Sequence, residues 1–451
     1  MDCTRLPTRR SRLAAAVASA AVVTGLLAPA AAAADAPAPT DPEVTTAVED
    51  LSAPATAQEE AAWDAARTAL AEQTDSSFYS APTSVPSRPG VLLRQEPMDF
   101  YLDPVKLVQV PATGTRIMYS SQDAQGRPTA ITGTVLTPTK PWTGSGPRPV
   151  VAYAVGTQGL GDQCAPSRTM SVGLQYEGVG ITSLLSAGYT VVATDYEGLG
   201  TEGTHTYMVR AAQAHAVLDS VRAAQDVEGA DVTATSPVAL AGYSQGGGAS
   251  AAAAEIAPDY APEINLKGAF AGAPPADLNA VANQLEGSLY AQFLLYAMAG
   301  HMEAYDLDPT DYLNERGRTV VADATEGCVT DVLENAFLRT GVLTRSGLPL
   351  STLATTDPTL SKVLAEQRLG ASGRAPEVPV MIAHSIGDDV IPYSAGRGLG
   401  HRWCAEGTRV RFDPLPMPTH VGGHIASLPR MEQFVSATLA DRWTPDSCGW
   451  F

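Results

Sequence analysis

Positive charge is scarce in this chain. Its 451 residues carry 29 Lys and Arg against 48 Asp and Glu, a formal balance of −19. So acidic a chain is a poor partner for nucleic-acid phosphates or anionic membrane surfaces, although a neutral lipid interface stays open to it. Charged residues of both signs make up only 17%, while apolar residues reach 45%. That balance fits a packed globular protein and argues against wholesale disorder. Long apolar runs are missing beyond the N-terminus, so no later segment has the length to span a bilayer. Cysteines number five, and none stands in a CxxC or a Cys/His metal spacing. This argues against a zinc site. Nor is there a nucleotide-binding or redox motif, and no cofactor or metal is expected.

What the N-terminus does contain is informative. Arg5, Arg9, Arg10 and Arg12 precede an apolar stretch at 13–28 and an exit at Ala32-Ala33-Ala34. A basic start, a short apolar middle and a small-residue exit describe a secretory signal over 1–34, too short and Ala-rich for an anchor. The Arg9-Arg10 pair suggests twin-arginine export, a reading weakened by Arg12. Without 1–34 the chain loses four arginines and one aspartate, for a balance near −22. Cys3 leaves with that segment. Cys164, Cys328, Cys404 and Cys448 remain, an even set suited to an oxidising compartment, and spacing leaves all three pairings open. A soluble, secreted monomer is expected.

Residues 35–75 read as a flexible acidic leader rich in Ala and Pro, with a short helix at 57–73. From about residue 104 the pattern turns strand-like. Segments 106–110, 116–120 and 129–136 suggest an antiparallel opening. Apolar runs of the buried parallel kind follow at 149–155, 189–194, 237–242, 267–272, 378–383 and 409–413. Helical patterns at 211–225 and 247–256 lie between some of them. This alternation predicts an α/β fold with a mostly parallel sheet, within a catalytic domain at 76–451. Residues 276–374 break the rhythm. They hold helical patterns at 278–302 and 330–338, and read as a helical insertion over the sheet, with a separate accessory domain as the alternative.

The sharpest motif is Gly242-Tyr243-Ser244-Gln245-Gly246, a G-x-S-x-G between an apolar strand and a helix. That context is the one a nucleophile elbow requires: a strained turn holds the Ser244 hydroxyl above the sheet, and small residues let strand and helix approach. A serine needs a base, itself oriented by an acid, in the order Ser, Asp/Glu, His. Asp388 and Asp389 follow the strand at 378–383. We assign the acid to Asp388 and read its neighbour as a turn residue. His420 and His424 follow the last strand. We assign the base to His420, in the loop, with His424 beginning the next helix. Metal binding by this pair lacks the HExxH arrangement. His205, His215, His301, His384 and His401 read as structural or surface residues. Oxyanion donors are expected from the Gln245 N–H and from the 156–161 loop, with Gln158 the candidate.

At these residues the sequence resembles the secretory lipase family typified by Candida antarctica lipase A. The stretches that carry the likeness are FYSAP at 78–82, GTQG at 156–159, CAPS at 164–167, DYEGLGT at 195–201, AVLDSVRAAQ at 216–225, GYSQGG at 242–247, HSIGDDVIP at 384–392 and THVGGHIASLP at 419–429. Their order and spacing are together specific. The resemblance implies an α/β-hydrolase with a helical cap inserted before the acid-bearing strand, and hydrolysis of carboxylic esters, often lipids. It places the nucleophile on Ser244, the acid on Asp388 and the base on His420, and it suggests the pairings Cys164–Cys328 and Cys404–Cys448. Position 424, acidic in the yeast enzyme, is a histidine here. The stretch 289–303, rich in Leu, Phe, Tyr and Met, suits an acyl tunnel or ordinary cap packing. A triacylglycerol lipase is the expectation; a non-lipolytic esterase, a polyester hydrolase, an acyltransferase or peptidase, and a catalytically dead binding protein are the rivals.

Overall fold

The computed structural model describes residues 61–71, 73 and 76–451. The expected signal at 1–34 and most of the leader lie outside them. Residues 61–71, within the expected helix, are helical. Nine strands form one sheet: β1 (Leu92–Met98), β2 (Ala112–Gln122), β3 (Pro128–Pro138), β4 (Val150–Ala154), β5 (Thr190–Thr194), β6 (Val238–Tyr243), β7 (Leu266–Gly272), β8 (Val380–Ser385) and β9 (Val410–Leu415). Their spatial order is β1-β2-β3-β5-β4-β6-β7-β8-β9. The first three strands and β5 pair antiparallel; from β5 through β9 every pairing is parallel. The expected α/β architecture is therefore present. Strands β4, β5, β6 and β8 are buried along their whole length, because helices cover both faces and the strands are continuously apolar.

The core helices that flank the sheet include α1 (Gly178–Ser186), α2 (Arg210–Ala224), α3 (Gln245–Tyr260) and, later in the chain, helices over Tyr393–Ala405 and His420–Leu439. The chain leaves β4 toward β5 on one side and then crosses to β6 on the other. This is a topological switch point, which opens a crevice beyond the carboxyl ends of the strands.

Two local expectations are corrected. Residues 106–110 form no strand. Lys106 takes φ 59°, and the Asp103 carboxylate accepts the Leu107 and Val108 N–H groups, closing a tight loop. The edge strand is β1 instead, whose Arg94, Glu96 and Pro97 disguise it; a sheet edge tolerates all three.

Between β7 and β8 lies the helical cap: α4 (Leu278–Leu285), α5 (Gln292–Ala304), α6 (Glu315–Ala324), α7 (Leu350–Thr356) and α8 (Pro358–Gln367). Asp277, Asn314 and Asp357 cap α4, α6 and α8 by accepting first-turn N–H groups. The pattern at 330–338 yields only a 3-10 turn at Val329–Asp331 and further turns. Here Cys328, bonded to Cys164, bridges to Gly159 and displaces the helix. Cap residues Leu295, Leu313 and Leu343 share one apolar cluster with Leu160, Tyr207, Val390 and Ile391 of the core, so the insertion is seated on the sheet domain. After β8 come α9 (Tyr393–Ala405) and, after β9, the C-terminal helix α10 (His420–Leu439). Cys404 of α9 is bonded to Cys448.

Candidate active site

Ser244 stands between β6 and α3 with φ 61° and ψ −123°. Such a backbone costs a non-glycine residue roughly 1–3 kcal/mol, and the surrounding contacts hold it. The Ser244 N–H donates to the Gly272 carbonyl (2.9 Å), and its own carbonyl accepts from Gly248 (3.0 Å). A Cβ at Gly246 would lie 1.9 Å from the Ala154 carbonyl oxygen, and one at Gly247 2.0 Å from that of Gly272. Helix α3 can therefore begin this close to the sheet only with glycine at both positions.

The two aspartates have separate partners. Asp388 Oδ1 accepts the N–H groups of Val390 (3.0 Å) and Ile391 (2.7 Å), and Oδ2 lies 2.7 Å from His420 Nδ1. Asp389 instead accepts the His420 backbone N–H at 2.8 Å. Burial alone would raise the Asp388 carboxyl, but hydrogen bonds to His384 and His420 outweigh it and hold the group well below the usual carboxylate range. His384 was read above as structural or surface; it is fully buried, its Nε2 3.5 Å from Asp388 Oδ2 and donating to the Ile391 carbonyl at 3.1 Å. Its spacing of four residues from Asp388 was the available signal.

His420 is not in a loop but is the first residue of α10, with Thr419 as the N-cap. The Thr419 cap starts the helix four residues before His424, the residue expected to begin it. The ring packs 5.0 Å from that of Tyr243, whose hydroxyl donates to the His420 carbonyl at 2.8 Å. With Nδ1 turned to Asp388, Nε2 is buried and has no hydrogen-bond partner among the described residues, Ser244 included. His424, one turn on, packs on Tyr243 and Tyr176, and its Nε2 is 3.9 Å from Glu177. Burial pushes the Glu177 carboxyl up to about 8 and the His424 imidazole down to about 4.

The loop after β4 is tied at several points. Glu177 accepts the Gly156 N–H (2.7 Å), while the Leu160 and Gly161 N–H groups go to Gly327 of the cap. The Thr157, Gln158 and Gly159 N–H groups have no protein acceptor among the described residues. Gln158 is buried; its carbonyl accepts from Val329, and its side chain is held by Gly156 and Gln175. The Gln245 N–H, first of α3, is likewise free of protein acceptors. A narrow cavity of about 50 Å³ reaches Ser244 and is lined by Leu278, Val281, Ala282 and Leu285 of α4, Phe293, Leu294 and Ala297 of α5, and Val390 and Ile391. Among the described residues, no group of three or more His, Cys, Asp or Glu is placed to hold a metal ion, and no helix is long and apolar enough to cross a membrane.

A mostly parallel sheet, helices on both faces, a cap inserted before the eighth strand and a serine at a strained strand-to-helix turn define an α/β-hydrolase. Structural comparison agrees. Candida antarctica lipase A in its closed state superimposes with a TM-score of 0.72 at 24% identity, over 83% of this chain and 88% of that one. The rice cell wall degrading esterase LipA of Xanthomonas oryzae follows at 0.64 and 21%, over 79% and 100%. Residues 164–446 match the profile of the family described as "Secretory lipase", well over half of the chain, and the chain belongs to that family of carboxylic ester hydrolases. Similar relatives include a "probable inactive lipase" of Mycobacterium tuberculosis, 28% identical over 82% of this chain and 83% of that protein. Lipase A of Moesziomyces aphidis is 26% identical over 80% and 79%.

Proposed function

We propose that the protein is a secreted triacylglycerol lipase acting through an acyl-enzyme on Ser244. The observation that carries the reading is the conjunction of a strained Ser244 with a His420 Nδ1–Asp388 contact of 2.7 Å, both at the carboxyl edge of one sheet. Ser244 attacks the ester carbonyl and His420 Nε2 takes its proton. Asp388 holds the imidazole tautomer and stabilises the imidazolium. The Gln245 N–H and an N–H of the 156–161 loop stabilise the oxyanion, each worth about 3–4 kcal/mol. His420 then protonates the departing alcohol, and water, activated by the same imidazole, releases the acid and frees Ser244. An apolar cavity walled by α4 and α5 supports an acyl-chain substrate, and two disulfides with a secretory family support export.

The M. tuberculosis relative is named inactive. Ser, His and Asp all present at this site favour the active reading for this chain. The narrowness of the cavity favours a second reading, a short-chain esterase. Turnover of p-nitrophenyl esters from acetate to palmitate, and of a triacylglycerol emulsion, tests both against Ser244→Ala. Long-chain and emulsion turnover lost in the variant supports the lipase. Short-chain turnover alone selects the esterase. Equal rates in both proteins, or no fluorophosphonate labelling of the wild type, overturns the Ser244 mechanism.

A further inference from the structure

We propose that His205 is a positioning residue of the oxyanion site: it anchors a buried clamp that holds the Gln245 N–H and the 156–161 loop at a fixed separation. The inference rests on reading those groups as the oxyanion donors.

His205 lies between β5 and α2 and is wholly buried. Its Nδ1 is 2.9 Å from the Glu197 carbonyl oxygen, which only accepts, so Nδ1 carries the hydrogen. In the neutral ring Nε2 then holds a lone pair. That lone pair faces the Gln245 side-chain amide Nε2 at 2.9 Å, which donates to it. Burial pushes the imidazole down to about 4, so this single neutral tautomer persists at working pH. The Gln245 side chain, directly after Ser244, is thereby pinned inside the protein at 1% residue exposure.

The same ring reaches the other wall. It stacks on Tyr196 (5.7 Å between centroids, 20°) and meets Tyr207 edge-on (6.0 Å, 66°). The Tyr196 hydroxyl donates to the Val155 carbonyl at 2.8 Å, where the loop leaves β4. The Tyr207 hydroxyl shares a 2.7 Å hydrogen bond with Thr157 Oγ1 within the loop. One imidazole thus connects the residue after the nucleophile with two residues at the root of the loop. Cap helix α5 presses on this point: a Cβ at Gly300 would lie 2.4 Å from the Tyr207 nitrogen. A buried amide with a dedicated acceptor is costly to leave unpaired. Oxyanion donors act only when preorganised at the position the charge will occupy, and the clamp supplies that rigidity from behind.

The test compares His205→Phe, His205→Gln and Thr157→Val with wild type on a short-chain p-nitrophenyl ester. Binding of an alkyl boronic acid, which forms a tetrahedral adduct on the nucleophile, is measured alongside. The clamp predicts that His205→Phe lowers kcat by about ten- to a hundredfold at unchanged KM, less than the 10²–10³ of deleting a donor outright. Boronate affinity falls by the same factor, Thr157→Val shows a smaller loss of the same kind, and His205→Gln, whose amide oxygen accepts from Gln245, recovers part of it. Unchanged kcat and boronate affinity, or a rise in KM alone, overturns the clamp. Should His205→Phe fail to fold, Thr157→Val decides by the same criteria. A wild type that takes no fluorophosphonate at Ser244 sinks the underlying mechanism instead, whereas a labelled wild type with fully active variants sinks only the clamp.

Discussion

Asp388 and Asp389 are neighbours of the same chemistry, and the structure gives them different partners. Asp388 turns both carboxylate oxygens inward, one to two backbone N–H groups and one to His420 Nδ1. Asp389 holds the His420 backbone N–H and interacts with the Tyr290 hydroxyl. Asp388→Asn is therefore expected to lower kcat by about 10⁴, because an amide in that place favours the wrong imidazole tautomer. Asp389→Asn removes a charge-assisted contact at a helix start and is expected to cost about 1 kcal/mol of stability with little change in kcat. Chemical denaturation and steady-state kinetics of the two variants separate the roles; equal losses of kcat would contradict the assignment.

At the scale of elements, the 156–161 loop and the cap act as one piece. Gly327 accepts two N–H groups of the loop, the Val329 N–H goes to Gln158, and Cys164–Cys328 bridges a separation of 164 residues. Chain-entropy arguments put such a crosslink at about 5 kcal/mol, against about 4 for the 44-residue separation of Cys404–Cys448. The Cys164→Ser/Cys328→Ser pair is thus expected to lower Tm more than the Cys404→Ser/Cys448→Ser pair, and to lower kcat as well, since the loop keeps only its hydrogen bonds to the cap. Helices α4 and α5 set the other property of this unit. Ala297 faces the cavity, so Ala297→Phe is expected to suppress palmitate turnover while sparing butyrate. An unchanged ratio of the two esters would show that acyl chains bind elsewhere.

Over the whole molecule, burial sets a distinct pH response. Glu177 is pushed up to about 8, and Glu197 and Glu255 each to about 7, all by desolvation. In the unfolded chain they ionise near 4.5. The stability they give is complete below that pH and is lost as pH rises through their folded values. His205 and His424 are pushed down to about 4, so their contribution is present above about 6.5 and lost as pH falls toward 4. Between about 4.5 and 6.5 these two slopes oppose; above it, of these five groups, the three glutamates act. Tm is expected to be higher at about pH 5.5 than at about pH 8.5, and Glu177→Gln to flatten the difference. A flat or rising Tm across that interval in the wild type would refute it.

The sequence by itself determined what short-range pattern encodes. Continuous apolar runs are stable only when buried on both faces, so they announced the parallel strands, and a strand running into Gly-x-Ser-x-Gly announced the turn at Ser244. Tertiary structure alone decided what depends on groups far apart in the chain. It set the Asp388 carboxylate against an imidazole 32 residues away, brought Gln245 to a histidine 40 residues earlier, and made a strand of β1 and turns of 330–338. Each of those outcomes is a hydrogen bond, an edge position or a crosslink whose partner is supplied by another element, and local periodicity carries no record of that partner.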